Sequence, residues 1–433
     1  MTDARLGTAR VWAALGGDPA DLDRLQIVGP AETLPARHAV TVAGAAAVGA
    51  SLLAGTRSPV VLDTRGLAVA LRSERHLRID GRSPGSGFAP LSAFHRCADG
   101  WIRLHANYPW HRAAALRVLD AATDEEATAA IAAWPAVELE TALHAAGGVG
   151  AAVRTTAQWR ATVGEPPPLV EHADLGPAAP RPERRPRVLD LTRVIAGPVG
   201  TRTLAVHGAD VLRLDPPDRP EIPAQAWEAL PGKRSALLDL GASGAVLEEL
   251  LTGADVVVTG YRPGALDRFG LAPEALAQRF PGLVVVTLSA WGHRGPWGAR
   301  RGFDSLVQAA CGIAVDEGSA DAPGTLPCQL LDHATGYLVA AAALLCLRRQ
   351  RATGGTPHVR FALAGTAAWL QSLPRGEPGH VEDVDPAPYL VDVPTADGTL
   401  TLARPPGAVD GQALDWPAPP PAYGAAVARW VAR

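Results

Sequence analysis

From about residue 187 to residue 370, short apolar runs alternate with longer stretches of helical character. Val188–Leu191 reads as a strand, followed by the loop TRVIAGP and a helix from about Val199 to His207. Asp210–Leu214, Ala236–Leu240 and Asp255–Thr259 read as further strands, with a helix near Gly244–Leu251 between the last two. Leu283–Leu288 is a near-continuous apolar run, the pattern of a strand buried on both faces. A long helix is expected from about Gly336 to Arg349. Strands alternating with helices predict an α/β fold, an open and mostly parallel sheet wrapped by helices. Ligands of such sheets sit beyond the carboxyl ends of the strands. Earlier in the chain, Ala39–Ala54 is apolar but shorter than the roughly 20 residues of a membrane span, so a buried helix is expected there.

Proline punctuates this pattern at Glu165–Pro186 and Pro417–Pro421. The first stretch reads as a linker. The expected organisation is therefore a first part over 1–164, a linker over 165–186, a large domain over 187–375, and a final part over 376–433. A loose internal repeat crosses these boundaries. HAVTVAGAAAVGASLLAG from His38 echoes HATGYLVAAAALLCLRRQ from His333, VVLDTRGLAVAL from Val60 echoes HVRFALAGTAAWL from His358, and CADGWIRL from Cys97 echoes TADGTLTL from Thr395. Before the repeated histidine, the first copy has Arg37 where the second has Asp332, so only the second offers a carboxylate there.

Composition narrows the possibilities. The 433 residues are 47% hydrophobic and 19% charged, enough for a sizeable core. A net charge of −4, with no basic run interleaved with aromatics, argues against sequence-independent nucleic-acid binding. The first residues show no charged region followed by an apolar core, so a cytoplasmic location is expected. Cys97, Cys311, Cys328 and Cys346 are widely spaced without a CxxC, as reduced core residues would be, and no metal set is visible. Of the 40 basic residues all but Lys233 are arginine, which marks that lysine as a place where a compact charge serves better than a planar fork.

The α/β region lacks G-x-G-x-x-G, the P-loop pattern and the G-x-S-x-G elbow, so a dinucleotide fold, a P-loop and a serine hydrolase are all disfavoured. It carries instead a series of loops near strand ends: DLTRVIAGP (190–198), PGKRSALLDL (231–240), TGYRPGALDRFGL (259–271), LSAWGHRGPWGARRGFD (288–304) and LLDHATGYL (330–338). In this order and spacing, these five segments resemble the class III CoA-transferase family, which includes formyl-CoA transferase, carnitine CoA-transferase and α-methylacyl-CoA racemase. The resemblance covers about 187–370.

The resemblance implies a Rossmann-like large domain with a smaller α+β domain, acyl-coenzyme A as substrate rather than resident cofactor, and a homodimer that is often interlocked. Asp332 matches the family's catalytic aspartate, which attacks the thioester to give an acyl-aspartyl anhydride. Lys233 and Arg268 match cations that contact the CoA nucleotide and phosphates, Val194, Ile195 and Ala196 a loop that touches CoA, and Tyr261 and Trp291 aromatic positions beside it. The racemase branch uses a histidine within Gly-His-Asp; here the triplet is Gly302-Phe303-Asp304, and phenylalanine cannot move a proton. Two departures stand out. The family's small-domain segments precede the large domain, as in FHRCADGWIRLHANYPWHRAAALRVL (94–119), so the order looks permuted; and no run of four glycines is present to cover the site. The expected activity is transfer of CoA between an acyl-CoA and a carboxylic acid, with an acyl-CoA racemase or isomerase and a non-catalytic acyl-CoA-binding protein as alternatives.

Overall fold

The computed structural model describes residues 2–85, 87–377, 381 and 383–431. Its centre is a sheet of seven strands: β1 (Glu171–Asp174), β2 (Arg187–Leu191), β3 (Asp210–Asp215), β4 (Arg234–Leu237), β5 (Val256–Thr259), β6 (Val284–Ser289) and β7 (Pro357–Ala362). Their order across the sheet is β4-β3-β2-β5-β6-β7-β1. Every neighbouring pair is parallel except β7 and β1. The valine runs of β5 and β6 lie side by side, Val256 on Val284 through Val258 on Val286, and all six are fully buried. Branched side chains suit a strand covered on both faces. Strand order reverses between β2 and β5, which opens a crevice at their carboxyl ends.

Four helices matter for the site: α1 (Val40–Gly55), α2 (Ala196–Val206), α3 (Asp304–Cys311) and α4 (Leu330–Thr353). Helix α4 is long and apolar enough to cross a membrane, yet it is the core helix, packed against α1, α2 and the sheet. Close approach of α2 and α4 depends on glycine. A Cβ at Gly336 would lie 2.5 Å from the Ala196 carbonyl oxygen, and one at Gly200 would lie 2.8 Å from that of Gly336.

Around this centre, Phe94–Arg96, Trp101–Leu104 and Gly150–Ala152 form an antiparallel sheet, with a core that includes Ile102, Leu104, Leu139 and Leu143. The hairpin Leu390–Thr395 and Gly398–Ala403 pairs with Arg78–Ile79 in a second small sheet. The repeat is visible as element order. Helix α1 leads to strand Val60–Asp63, two short helices, the short strand Arg78–Ile79 and a hairpin, and α4 leads to β7, a helix, a 3-10 turn and a hairpin.

The structure moves several boundaries. The expected linker contains β1, the antiparallel edge of the central sheet. Strand β4 ends at Leu237 and begins at Arg234, two residues before the expected start. Helix α4 begins at Leu330, six residues early, because its first-turn amide at Asp332 donates to the carboxylate of Asp304, a cap supplied from α3 that local sequence does not reveal. The final part does not stay apart either. Ala426 N–H donates to the Ser235 carbonyl at 2.8 Å, and the Trp430 indole donates to Leu250 at 2.8 Å, with the ring lying under the guanidinium groups of Arg187 and Arg234. The expected buried helix at 39–54 is α1, and all four cysteines are buried and unpaired.

Candidate active site

The loop after β2 turns sharply into α2. Val194 has φ of 69°, a left-handed conformation that is costly for a β-branched residue and persists only where surroundings enforce it. Glu221 is the enforcer: one carboxylate oxygen accepts from Val194 N–H at 3.1 Å and from Arg213 at 3.0 Å, and the other accepts from the Tyr108 hydroxyl at 2.5 Å. Tyr108 comes from the part of the chain before the linker, so this clamp also joins the two parts.

Two cavities meet here. An outer cleft of about 760 Å³ lies in the crevice at the carboxyl ends of β2 and β5. Its wall carries Arg219, Arg262, Arg268 and Arg301, along with Tyr261. Arg219 has one ion-pair partner among the described residues, the exposed Asp218 at 3.8 Å. Burial and the charges of Arg262 and Arg219 push the Arg301 pKa down, as expected where cations gather. An inner cavity of about 570 Å³ lies between the early part of the chain, including Leu77 and Phe88, and the walls of α2 and α3. Val194, Phe303 and Asp332 line both spaces.

Asp332 therefore stands at the junction. It occupies the first turn of α4 and is 6% exposed. Its carboxylate accepts no hydrogen bond from the described residues. Burial pushes its pKa well above the usual carboxylate range, and the neighbouring Asp304 and Glu74 carboxylates push it further. Asp304 is fully buried and also raised, chiefly by burial, but it accepts hydrogen bonds from the Asp332 amide and from Gln308. Of the two neighbouring carboxyls Asp332, with no donor facing it among the described residues, is the one whose ionisation is the more disfavoured. His333 turns toward Glu74, with Nε2 3.3 Å from the carboxylate. Burial raises Glu74, but the hydrogen bond and charge of His333 outweigh it and hold the pKa below the usual range.

Of the residues singled out in sequence, Val194, Ala196, Tyr261, Arg268 and Asp332 line the outer cleft, and Ile195 lines the inner cavity. Lys233 requires correction. Its side chain is fully enclosed, and its ammonium donates to Asp190 at 2.9 Å, Thr201 at 2.6 Å and the Pro198 carbonyl at 3.1 Å. Its donors are taken and it faces neither cavity, so it steadies the β2–α2 turn instead of meeting phosphate. Trp291 also lines neither cavity. It packs against Trp159 and Trp297, and its indole donates to the Arg301 carbonyl at 3.1 Å, positioning that arginine. His293 lies beside Glu171 of the edge strand, away from both spaces.

Sequence reasoning missed Glu74, His105, Arg219, Arg262 and Arg301. The signal was partial: Arg262 and Arg301 fall inside quoted loops, and His105 inside the 94–119 segment. Their convergence is tertiary. His105 lies flat on Phe303, with ring centroids 3.7 Å apart and planes 8° apart, and its Nδ1 has no partner. Burial lowers its pKa to about 3, helped by His111 and Arg103, so it is neutral.

The chain is similar to known proteins over the same region. Residues 186–385 match the model of CoA-transferase family III. Over 202 residues the chain is 34% identical to a probable fatty acyl-CoA transferase of Mycobacterium tuberculosis, covering 43% of this chain and 51% of that protein. It is 31% identical to the formyl-CoA:oxalate CoA-transferase of Streptomyces coelicolor, covering 41% of this chain and 46% of that one. A crystal structure of a hypothetical protein from Mycobacterium tuberculosis aligns with a TM-score of 0.41 at 32% identity, over 45% of this chain and 58% of that chain. The chain thus spans about half the length of the curated relatives it matches. The segment that matches CoA-transferase family III, residues 186–385, bounds both cavities and carries Asp332 at their junction.

Proposed function

We propose that this protein is a CoA-transferase acting on acyl-CoA thioesters, with Asp332 as the nucleophile. One observation carries the reading: the carboxylate of Asp332, which accepts no hydrogen bond among the described residues, stands where an arginine-lined cleft meets a second, largely apolar cavity. The arginines suit a nucleotide and its phosphates, the inner cavity suits the acyl group, and the thioester joining them then falls at Asp332. A carboxylate oxygen of Asp332 attacks the thioester carbon, the carbon–sulfur bond breaks, and CoA leaves as thiolate. The acceptor carboxylate attacks the Asp332 carbonyl of the resulting anhydride and displaces the first acid. The thiolate then attacks the acyl carbon of the new anhydride, forming the product thioester and restoring Asp332.

Attack requires ionised Asp332, so turnover rises with pH as its proton leaves. Both cavity walls come from one chain. A homodimer is the assembly to test by light scattering, and the unpaired cysteines fit a reducing cytoplasm. The test is rapid-quench mass spectrometry with a panel of acyl-CoA thioesters. An acyl or CoA-derived adduct mapped to Asp332, and lost in Asp332→Ala, is expected; retained CoA binding with no adduct and no transfer would rule the reading out.

A second reading, α-proton transfer on an acyl-CoA, draws on a different observation: Asp332, whose pKa burial raises, and a neutral His105 whose Nδ1 has no hydrogen-bond partner line the same inner cavity. Asp332 would be the acid and the free Nδ1 of His105 the acceptor, and burial, which pushes the His105 pKa down to about 3, makes it a weak base, so this reading ranks second. It predicts deuterium uptake from heavy water into the acyl chain without an acceptor acid, abolished by His105→Ala.

A further inference from the structure

We propose that the inner cavity selects acyl groups that are bulky, apolar and free of a second carboxylate, and that Glu74 enforces the exclusion. The proposal rests on the transferase reading in placing CoA in the outer cleft. At about 570 Å³ the cavity has room for roughly twenty water-sized groups of ~30 Å³ each. A formyl or acetyl group would leave most of it unfilled. Leu77, Phe88, Ile195, Val199, Ile222 and Ala224 supply apolar wall, which rewards burial of hydrocarbon in proportion to area.

The charges inside point the same way. Glu74, Glu228, Asp304 and Asp332 all line the space. The enclosed cation, Arg202, is already engaged: one terminal nitrogen donates to the carboxylate and carbonyl of Glu228, and the other lies 3.4 Å from Ser73. Arg75 also lines the cavity, but its side chain is exposed, where solvent screens it. A distal carboxylate brought in on a dicarboxylic acyl chain would lose its hydration and meet Glu74, whose own partner is His333. With His333 already engaged by Glu74, the incoming carboxylate finds like charge and no free counter-ion, which disfavours it as a clash would.

The experiment is isothermal titration of the full chain with CoA, octanoyl-CoA and succinyl-CoA in the absence of acceptor acid, repeated for Ala224→Phe, Glu74→Gln and Arg75→Ala. Octanoyl-CoA is expected to bind about tenfold or more tighter than CoA, and succinyl-CoA no tighter than CoA. Ala224→Phe should erase the octanoyl advantage and leave CoA affinity unchanged, whereas Glu74→Gln should improve succinyl-CoA relative to CoA. Succinyl-CoA binding as tightly as octanoyl-CoA, or losing affinity specifically in Arg75→Ala, would overturn the proposal. So would an Ala224→Phe protein that retains the octanoyl preference. Because these readouts are affinities, the selectivity can fail while transfer stands; loss of binding to CoA itself would strike the transferase reading instead.

Discussion

Two buried aspartates of the large domain have opposite surroundings. Asp190, at the end of β2, receives hydrogen bonds from Thr192 N–H and hydroxyl, from the Thr201 hydroxyl, and from Lys233. Burial raises its pKa, yet the charge of Lys233, that of Arg213 and the two threonines more than compensate, and it is held below the usual range. Lys233 is pushed down to about 8 by burial against the pull of Asp190, and stays charged at neutral pH. Asp332 is also buried, but its carboxylate accepts no hydrogen bond among the described residues, and two further carboxylates face it. A satisfied buried ion pair holds a turn; an unsatisfied buried acid beside a cavity is available for chemistry.

The comparison can be broken at either end. The largest effect is expected for Asp332→Ala, with turnover reduced about 10⁴-fold or more, the scale of losing a nucleophile. Its thermal midpoint should hold or rise, since an unpaired buried acid is removed; a clear fall would make Asp332 a structural group like Asp190. Lys233→Ala is expected to do the reverse. It leaves Asp190 buried without its cation, costing about 3–5 kcal/mol in urea unfolding, with CoA affinity of the folded protein unchanged. Weaker CoA binding by the folded variant would return Lys233 to the phosphate site.

Smaller effects sharpen the picture. Arg219→Ala and Arg301→Ala should each weaken CoA binding by about 1–3 kcal/mol, the scale of hydrogen bonds to charged groups, and should flatten its salt dependence in titration. The mildest change is in pH dependence. Removing the negative charge at Glu74 lowers the Asp332 pKa, so in Glu74→Gln the rising limb of the rate profile should move to lower pH. An unmoved limb would mean that another group titrates.

The large domain was legible because periodicity is local: valine runs, strand-end loops and alternating helices gave the sheet and the Asp332 segment. Boundaries set by distant groups were not. Asp304 extends α4 backward from another helix, and a proline-rich stretch that looks like a linker pairs with β7 along its middle. Lys233 illustrates the same limit within the site. Its rarity signalled a special role, but the sequence could not show whether its partner was a phosphate or an internal carboxylate 43 positions away. Glu74 and His105 carried no usable pattern, since their meaning arises only once the early part of the chain closes over α2 and α3.

The return of the C-terminal segment to β4 has a consequence for handling the protein. Strand β4 is the outer strand of the sheet, and an uncovered strand edge is a template for adding foreign strands. Ala425 and Ala426 meet that edge at Ala236 and Ser235, while Trp430 seals the adjoining apolar surface between two arginines. A tag or truncation that lifts residues 422–431 would turn the protein's strand guard into an adhesive seam, and self-association would follow even with every residue of the cleft intact.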